Sequence, residues 1–366
     1  MPHADKKHPS DSVITIAPWK DDKRFAYSIT YDEGLIETAG FAWRIHRRYG
    51  IPGHVNALPG MLGKLVGDAS AGFLQSLWNL QKYAGPEHLQ FLMSEGWSIG
   101  CQFSPSDDQA HTVDSLRQIR LSLEQALACP VHALAFTDFA SCEANQNLAQ
   151  KAGFRWLFTR HDDLNAADES THVIKRSPLY HLGPTPVRLA NDPYRLLALA
   201  RDRGSWVVDV VRLIDRYPSD PTRDCTPAEL EARFRALCKI GGDGVWTASP
   251  ETVASYRALR LATQIRDYVA TPQQVRYTLA VTDADDLPAQ DTLTFVARPN
   301  AERILIRDWQ SPRAIVGQDV VHLQPGPESG TWLFTHPVVD GLEVEIADQN
   351  PFADQNPVAD ESGRSG

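Results

Sequence analysis

The chain has 366 residues, 42% of them apolar and 22% charged, a composition that suits one large folded domain and a smaller one. Its formal net charge of −10 and isoelectric point near 5.6 argue against binding a phosphate backbone and give no polybasic membrane patch. The first residues have no apolar core followed by a small-residue cleavage site, and no run approaches the length of a membrane span, so a cytoplasmic location is expected. Five widely spaced cysteines (Cys101, Cys129, Cys142, Cys225 and Cys238) with no Cys-x-x-Cys pair read as reduced, mostly buried thiols.

In chain order, residues 1–20 read as a flexible polar segment, and strands and helices alternate after them. Strands are expected at 24–30, 51–58, 97–103, 131–136, 154–159, 205–214 and 244–247. Helices are expected at 38–48, 73–83, 88–95, 112–128, 143–152, 192–202, 226–240 and 249–264. Asp192 with Pro193 reads as the cap of one helix, and Thr226 with Glu229 as the capping box of another. About seven strand–helix units imply parallel strands with crossover helices. A distorted (β/α) barrel over 21–268 fits that count, with an open doubly wound sheet as the alternative. No glycine-rich nucleotide fingerprint follows any strand. Beyond Thr271-Pro272 short alternating runs separated by turn residues predict a small antiparallel β-sandwich over 272–347. The repetitive 348–366 reads as a disordered tail.

Several segments, in order, resemble one family. Ser28-Ile29-Thr30-Tyr31-Asp32-Glu33-Gly34 is similar to a T-F-D-D-G motif. Tyr49-Gly50-Ile51-Pro52, Leu92 to Gly100, Glu143 to Phe154, Trp206 to Ile214 and Val245-Trp246-Thr247-Ala248 follow at matching places. Together, over about residues 20–265, they resemble the NodB-homology polysaccharide deacetylases (carbohydrate esterase family four). The resemblance implies a distorted barrel and hydrolysis of an N-acetyl amide, a C–N bond, on a carbohydrate. In that chemistry an Asp and two His hold zinc, a second Asp is the general base and a late His the general acid.

Carried over by residue, Asp32 falls on the general base and Glu33 on the metal-binding aspartate. Gln102 and Ser106 fall on the two metal histidines, and Thr137, beside Asp138, on an arginine. Arg212 falls near the late histidine, and its guanidinium stays protonated, so it cannot cycle a proton. Glutamine and serine are poor zinc ligands, so the resemblance leaves a divalent metal (zinc) possible but weakened or lost, and no cofactor is firmly implied. His54, His111 and His161 are candidate replacement groups: His54 is read as ending a strand at the barrel mouth, and an ordinary buried histidine is its alternative. Pairing of Asp32 with Arg212 across the mouth is a further expectation. Trp97, Trp156, Trp206 and Trp246 read as core rather than sugar platforms. The implied partner is a carbohydrate or small amide. The alternative function is a catalytically inactive carbohydrate-binding or interaction module.

Overall fold

The computed structural model describes residues 14–64, 82–103, 112–136, 143–179, 192–218, 223–271, 274–282, 292–298, 309 and 311–348. It divides into two compact units, Lys23–Arg257 and a second built from both ends of the chain, Met1–Asp22 with Ala258–Gly366. The first strand, β1 (Ile14–Ile16), belongs to the second unit.

In the Lys23–Arg257 unit every strand pairing is parallel. The strands are β2 (Phe25–Tyr31), β3 (His54–Ala57), β4 (Ser98–Phe103), β5 (Ala133–Phe136), β6 (Trp156–Thr159), β7 (Val173–Lys175), β8 (Ser177–Pro178), β9 (Trp206–Val211) and β10 (Val245–Thr247). The sheet runs β7-β6-β5-β4-β3-β2-β9-β8. Because β7 pairs with β6 and β8 with β9, and only Arg176 lies between β7 and β8, the sheet comes round on itself as a distorted barrel. One edge of β2 is shared: its start pairs with β10 and its end with β3.

Helices α1 (Trp43–Tyr49), α2 (Pro86–Ser94), α3 (Val113–Leu127), α4 (Glu143–Lys151), α5 (Leu197–Arg203), α6 (Pro227–Gly241) and α7 (Pro250–Ala262) connect the strands. Sequence sets their ends. The Thr112 hydroxyl accepts the Ser115 N–H at 3.1 Å to start α3, and Thr226 with Glu229 forms the expected capping box of α6. Between barrel and helices lies one apolar core that takes alternate strand residues: Tyr27, Ile29 and Tyr31 from β2, Val55 and Ala57 from β3, Ile99 and Cys101 from β4. Each large side chain buried there stabilises the fold by roughly 1.5–3 kcal/mol.

The opposite residues of those strands fill the barrel, and many are polar: Ser28, Thr30, His54, Asn56 and Gln102 are all buried, as is Arg176 between β7 and β8. Gly100 makes room for them. A Cβ there would lie 2.9 Å from His54 Nε2 and 2.9 Å from the Ala133 side chain.

In the second unit β11 (Thr263–Ala270), β12 (Gln274–Val281), β13 (Thr292–Ala297), β14 (Pro312–Val316), β15 (Asp319–His322), β16 (Gln324–Pro325), β17 (Trp332–Pro337) and β18 (Glu343–Asp348) form two antiparallel sheets with β1. Their orders are β1-β13-β17-β16 and β11-β12-β18-β14-β15. Tyr277 of one sheet lies 6.0 Å, ring to ring, from Phe295 of the other, and Phe295 stacks on Phe334 and His336.

Several local expectations are corrected. Ile14–Ile16 lies in the segment read as flexible but pairs with β13, which supplies its backbone partners. Tyr83 bridges to Leu35 instead of ending a helix, and the rest of that expected helix falls largely outside the described residues. Asp192 caps a turn through the Tyr194 N–H, and α5 starts later, at Leu197. The last helix stops at Ala262 because Thr263 already begins β11. β7 and β8 were not expected at all: they are three and two residues long, too short for a period to show.

Candidate active site

The C-terminal ends of β2, β4 and β9 converge at one mouth of the barrel. Asp32 follows β2, and its N–H donates to the Val211 carbonyl at 2.8 Å. Glu33 and Gly34 then both take positive φ, 70° and 68°, and turn the chain sharply. Glycine is needed at the second position, where a Cβ would sit 3.1 Å from Ala57 Cα. The turn aims the Glu33 N–H at Gln102 Oε1, to which it donates. Asp32, Glu33, Gln102 and Arg212 are thus brought together as the sequence suggests.

Their partners differ from expectation. Asp32 does not pair with Arg212. Arg176, fully buried between β7 and β8, donates from Nη1 to Asp32 Oδ1 at 2.6 Å and from Nη2 to Oδ2 at 3.4 Å. Arg176 Nη1 also lies 3.1 Å from the Thr30 hydroxyl, and its guanidinium lies over the Phe158 ring. Asn56 Nδ2 donates to the same Oδ1 at 2.9 Å. Arg212 instead forms a two-pronged pair with buried Asp224, Nε to Oδ1 at 2.7 Å and Nη2 to Oδ2 at 2.6 Å. The Glu33 carboxylate sits between two cations, 2.9 Å from Arg223 Nη2 and 3.9 Å from Arg212 Nη1. The Tyr83 phenol is pushed up by burial and by the Glu33 charge beside it. Asp32, Arg160, Val210, Arg212 and Arg223 line a shallow recess that encloses about 10 Å³, room for roughly one water.

His54 starts β3 instead of ending it, so it lies inside the barrel and not at the mouth. Its Nε2 is 2.8 Å from Asn56 Oδ1, and its Nδ1 is 2.7 Å from Ser98 Oγ and 3.7 Å from Glu251 Oε1. Burial pushes the His54 ring down to about 3 and the Glu251 carboxyl up to about 8. His161 is exposed beyond β6, and its described contacts are with Asp163, not Asp32. Ser106, Asp138, Thr137 and His111 lie outside the described residues. Trp97, Trp156 and Trp206 are buried, and Trp246 packs on Tyr256. Cys101 and Cys225 are buried, Cys129 is half-buried and Cys238 exposed, all as free thiols.

The described donor set does not suit zinc. Both carboxylates at the mouth, Asp32 and Glu33, face guanidinium groups where a ligand would face a metal, and Gln102 Oε1 already accepts a backbone N–H. Among the described residues no group of three His, Cys, Asp or Glu side chains could share an ion. Arg176, Arg223, Asn56 and Asp224 were not legible as site residues. The only signal, scattered arginines near strand ends, is shared with many surface positions.

No protein-family model matches the chain, and no curated protein matches it. Among solved structures it is similar to a Streptococcus pyogenes deacetylase, PplD, at 15% identity over 41% of this chain and a TM-score of 0.33; the match spans 62% of that protein, less than two thirds of its length. A Mycobacterium smegmatis protein described as a polysaccharide deacetylase is 15% identical over 66% of this chain and 92% of its own, with a TM-score of 0.38. The Xyl-CE4 domain of a xylanase from the hindgut metagenome of Trinervitermes trinervoides is 9% identical over 63% of this chain and 89% of its own, also at 0.38.

Proposed function

We propose that the barrel mouth hydrolyses an amide or ester bond of a small acylated carbohydrate or amide, with Asp32 as base and guanidinium groups in place of a metal. The observation that carries this reading is a nearly buried carboxylate on a recess rimmed by Arg160, Arg212 and Arg223. Asp32 Oδ1 already accepts two hydrogen bonds, at 2.6 and 2.9 Å, whereas Oδ2 has one long contact at 3.4 Å. Oδ2 therefore takes the proton of a water whose oxygen attacks the carbonyl carbon. The carbonyl oxygen gains the negative charge, and the recess arginines stabilise it. Collapse breaks the C–N or C–O bond, and the protonated Asp32 returns its proton to the leaving nitrogen or oxygen. Arginine supplies charge and cannot supply that proton.

A cytoplasmic location belongs to the same reading, supported by the free state of the described cysteines. A second reading, a binding module without catalysis, is favoured by one observation: Asp32, Glu33, Arg212 and Arg223 are already paired with one another or with neighbours.

The test is hydrolysis of chromogenic acetyl esters and small N-acetylated sugars by the purified chain, with and without chelator. Activity that survives chelation and falls at least about 10²-fold in Asp32→Asn supports the first reading. Unchanged activity in that variant moves the chemistry elsewhere, and no turnover together with saturable sugar binding supports the second.

A further inference from the structure

We infer that His54 and Asn56 are positioning residues, forming a one-way hydrogen-bond chain from inside the barrel that fixes the Asp32 carboxylate. This inference rests on the reading of Asp32 as the base. The direction of the chain follows from donor counting. A carboxylate only accepts, so the Asn56 atom 2.9 Å from Asp32 Oδ1 must be its NH₂. The amide oxygen of Asn56 then faces His54 Nε2 at 2.8 Å, and since an amide oxygen only accepts, Nε2 must carry the proton. A fully buried ring with no carboxylate in hydrogen-bond reach is neutral, so Nδ1 is bare and accepts the Ser98 hydroxyl proton at 2.7 Å. The links run Ser98 to His54 to Asn56 to Asp32, each donating to the next.

Two further features agree. Glu251 Oε1 lies 3.7 Å from Nδ1 and is buried without a hydrogen-bond partner; burial holds Glu251 protonated at neutral pH, so no carboxylate competes for an Nδ1 proton. The other charges acting on the ring are Arg176 and Asp32 themselves. Gly100 leaves the space the imidazole occupies against β4. Without His54 the Asn56 amide has no partner for its oxygen and nothing to stop it rotating. A rotated amide puts oxygen against the Asp32 carboxylate, which shifts the base off the orientation set by Arg176.

The first measurement needs no activity: ¹⁵N NMR of the His54 ring between pH 5 and 8. The Nε2–H, Nδ1-bare pattern is expected, and an Nδ1–H or doubly protonated ring overturns the inference. The second compares His54→Gln, whose amide can donate from the Nε2 position, with His54→Met, which cannot. Met should lower kcat about 10- to 10²-fold with KM unchanged, and Gln should restore most of it. Equal losses in the two variants, or a loss in KM alone, overturn the inference. If the wild-type chain hydrolyses nothing, the proposed function fails by itself. Crystal structures of wild type and His54→Met then decide the positioning: an unmoved Asn56 amide and Asp32 carboxylate overturn it, and a rotated amide upholds it.

Discussion

Replacing Asp32 by Asn keeps its size but leaves the Arg176 guanidinium without its counter-charge. Arg176 is fully buried, and among the described residues its acidic partner is the Asp32 carboxylate, at 2.6 Å. Removing one partner of a buried pair costs about 3–5 kcal/mol, most of it the desolvation of the orphaned ion. At about 2–4 °C per kcal/mol for a unit of this size, the melting temperature should fall by about 6–20 °C. The converse change is milder. Arg176→Met leaves a carboxylate that lines the recess, where water can reach it. In the double variant the orphaned charge disappears, so it should melt above Asp32→Asn alone. Calorimetry on the four proteins measures the cycle. A fall under about 2 °C in Asp32→Asn, or a double variant no more stable than that single one, would refute the view that this pair holds the barrel together.

Further outcomes follow from the same geometry. Purified protein should carry far less than one zinc per chain after dialysis against a weak chelator, because the carboxylates face arginines; stoichiometric retained zinc would contradict this. The Glu251 carboxyl, raised to about 8 in the folded chain against 4.5 unfolded, contributes stability that is complete below about pH 4.5 and is lost as pH rises through 8. Glu251→Gln should therefore flatten the fall in stability across that window, by up to about 1.4 kcal/mol per pH unit, and denaturant midpoints at pH 5, 6.5 and 8 would show it. Gly100→Ala should cost about 1–3 kcal/mol, since its Cβ meets both His54 and Ala133; a neutral substitution would mean that the barrel interior is looser than these distances.

What the sequence determined by itself was local or periodic. The alternation of strand and helix made a parallel barrel the simplest topology, the capping box at Thr226 marked the start of α6, and the Asp32-Glu33-Gly34 turn marked the mouth. Gln102 and Arg212, each at or just past a strand end, reached the same mouth for the same reason: parallel strands bring their C-terminal ends to one face. Tertiary structure decided the rest. Which cation meets Asp32 depends on how the barrel closes, and closure falls on β7 and β8, strands too short to carry a period, with Arg176 between them. His54 read as a mouth residue because the start and end of a four-residue strand look alike in sequence; only the register with Thr30 and Ser98 puts it inside the barrel, below the carboxylate it supports. Ion pairs joining residues 144 positions apart, as Arg176 and Asp32 are, leave no local pattern, so the charge balance of this site belongs to the folded chain alone.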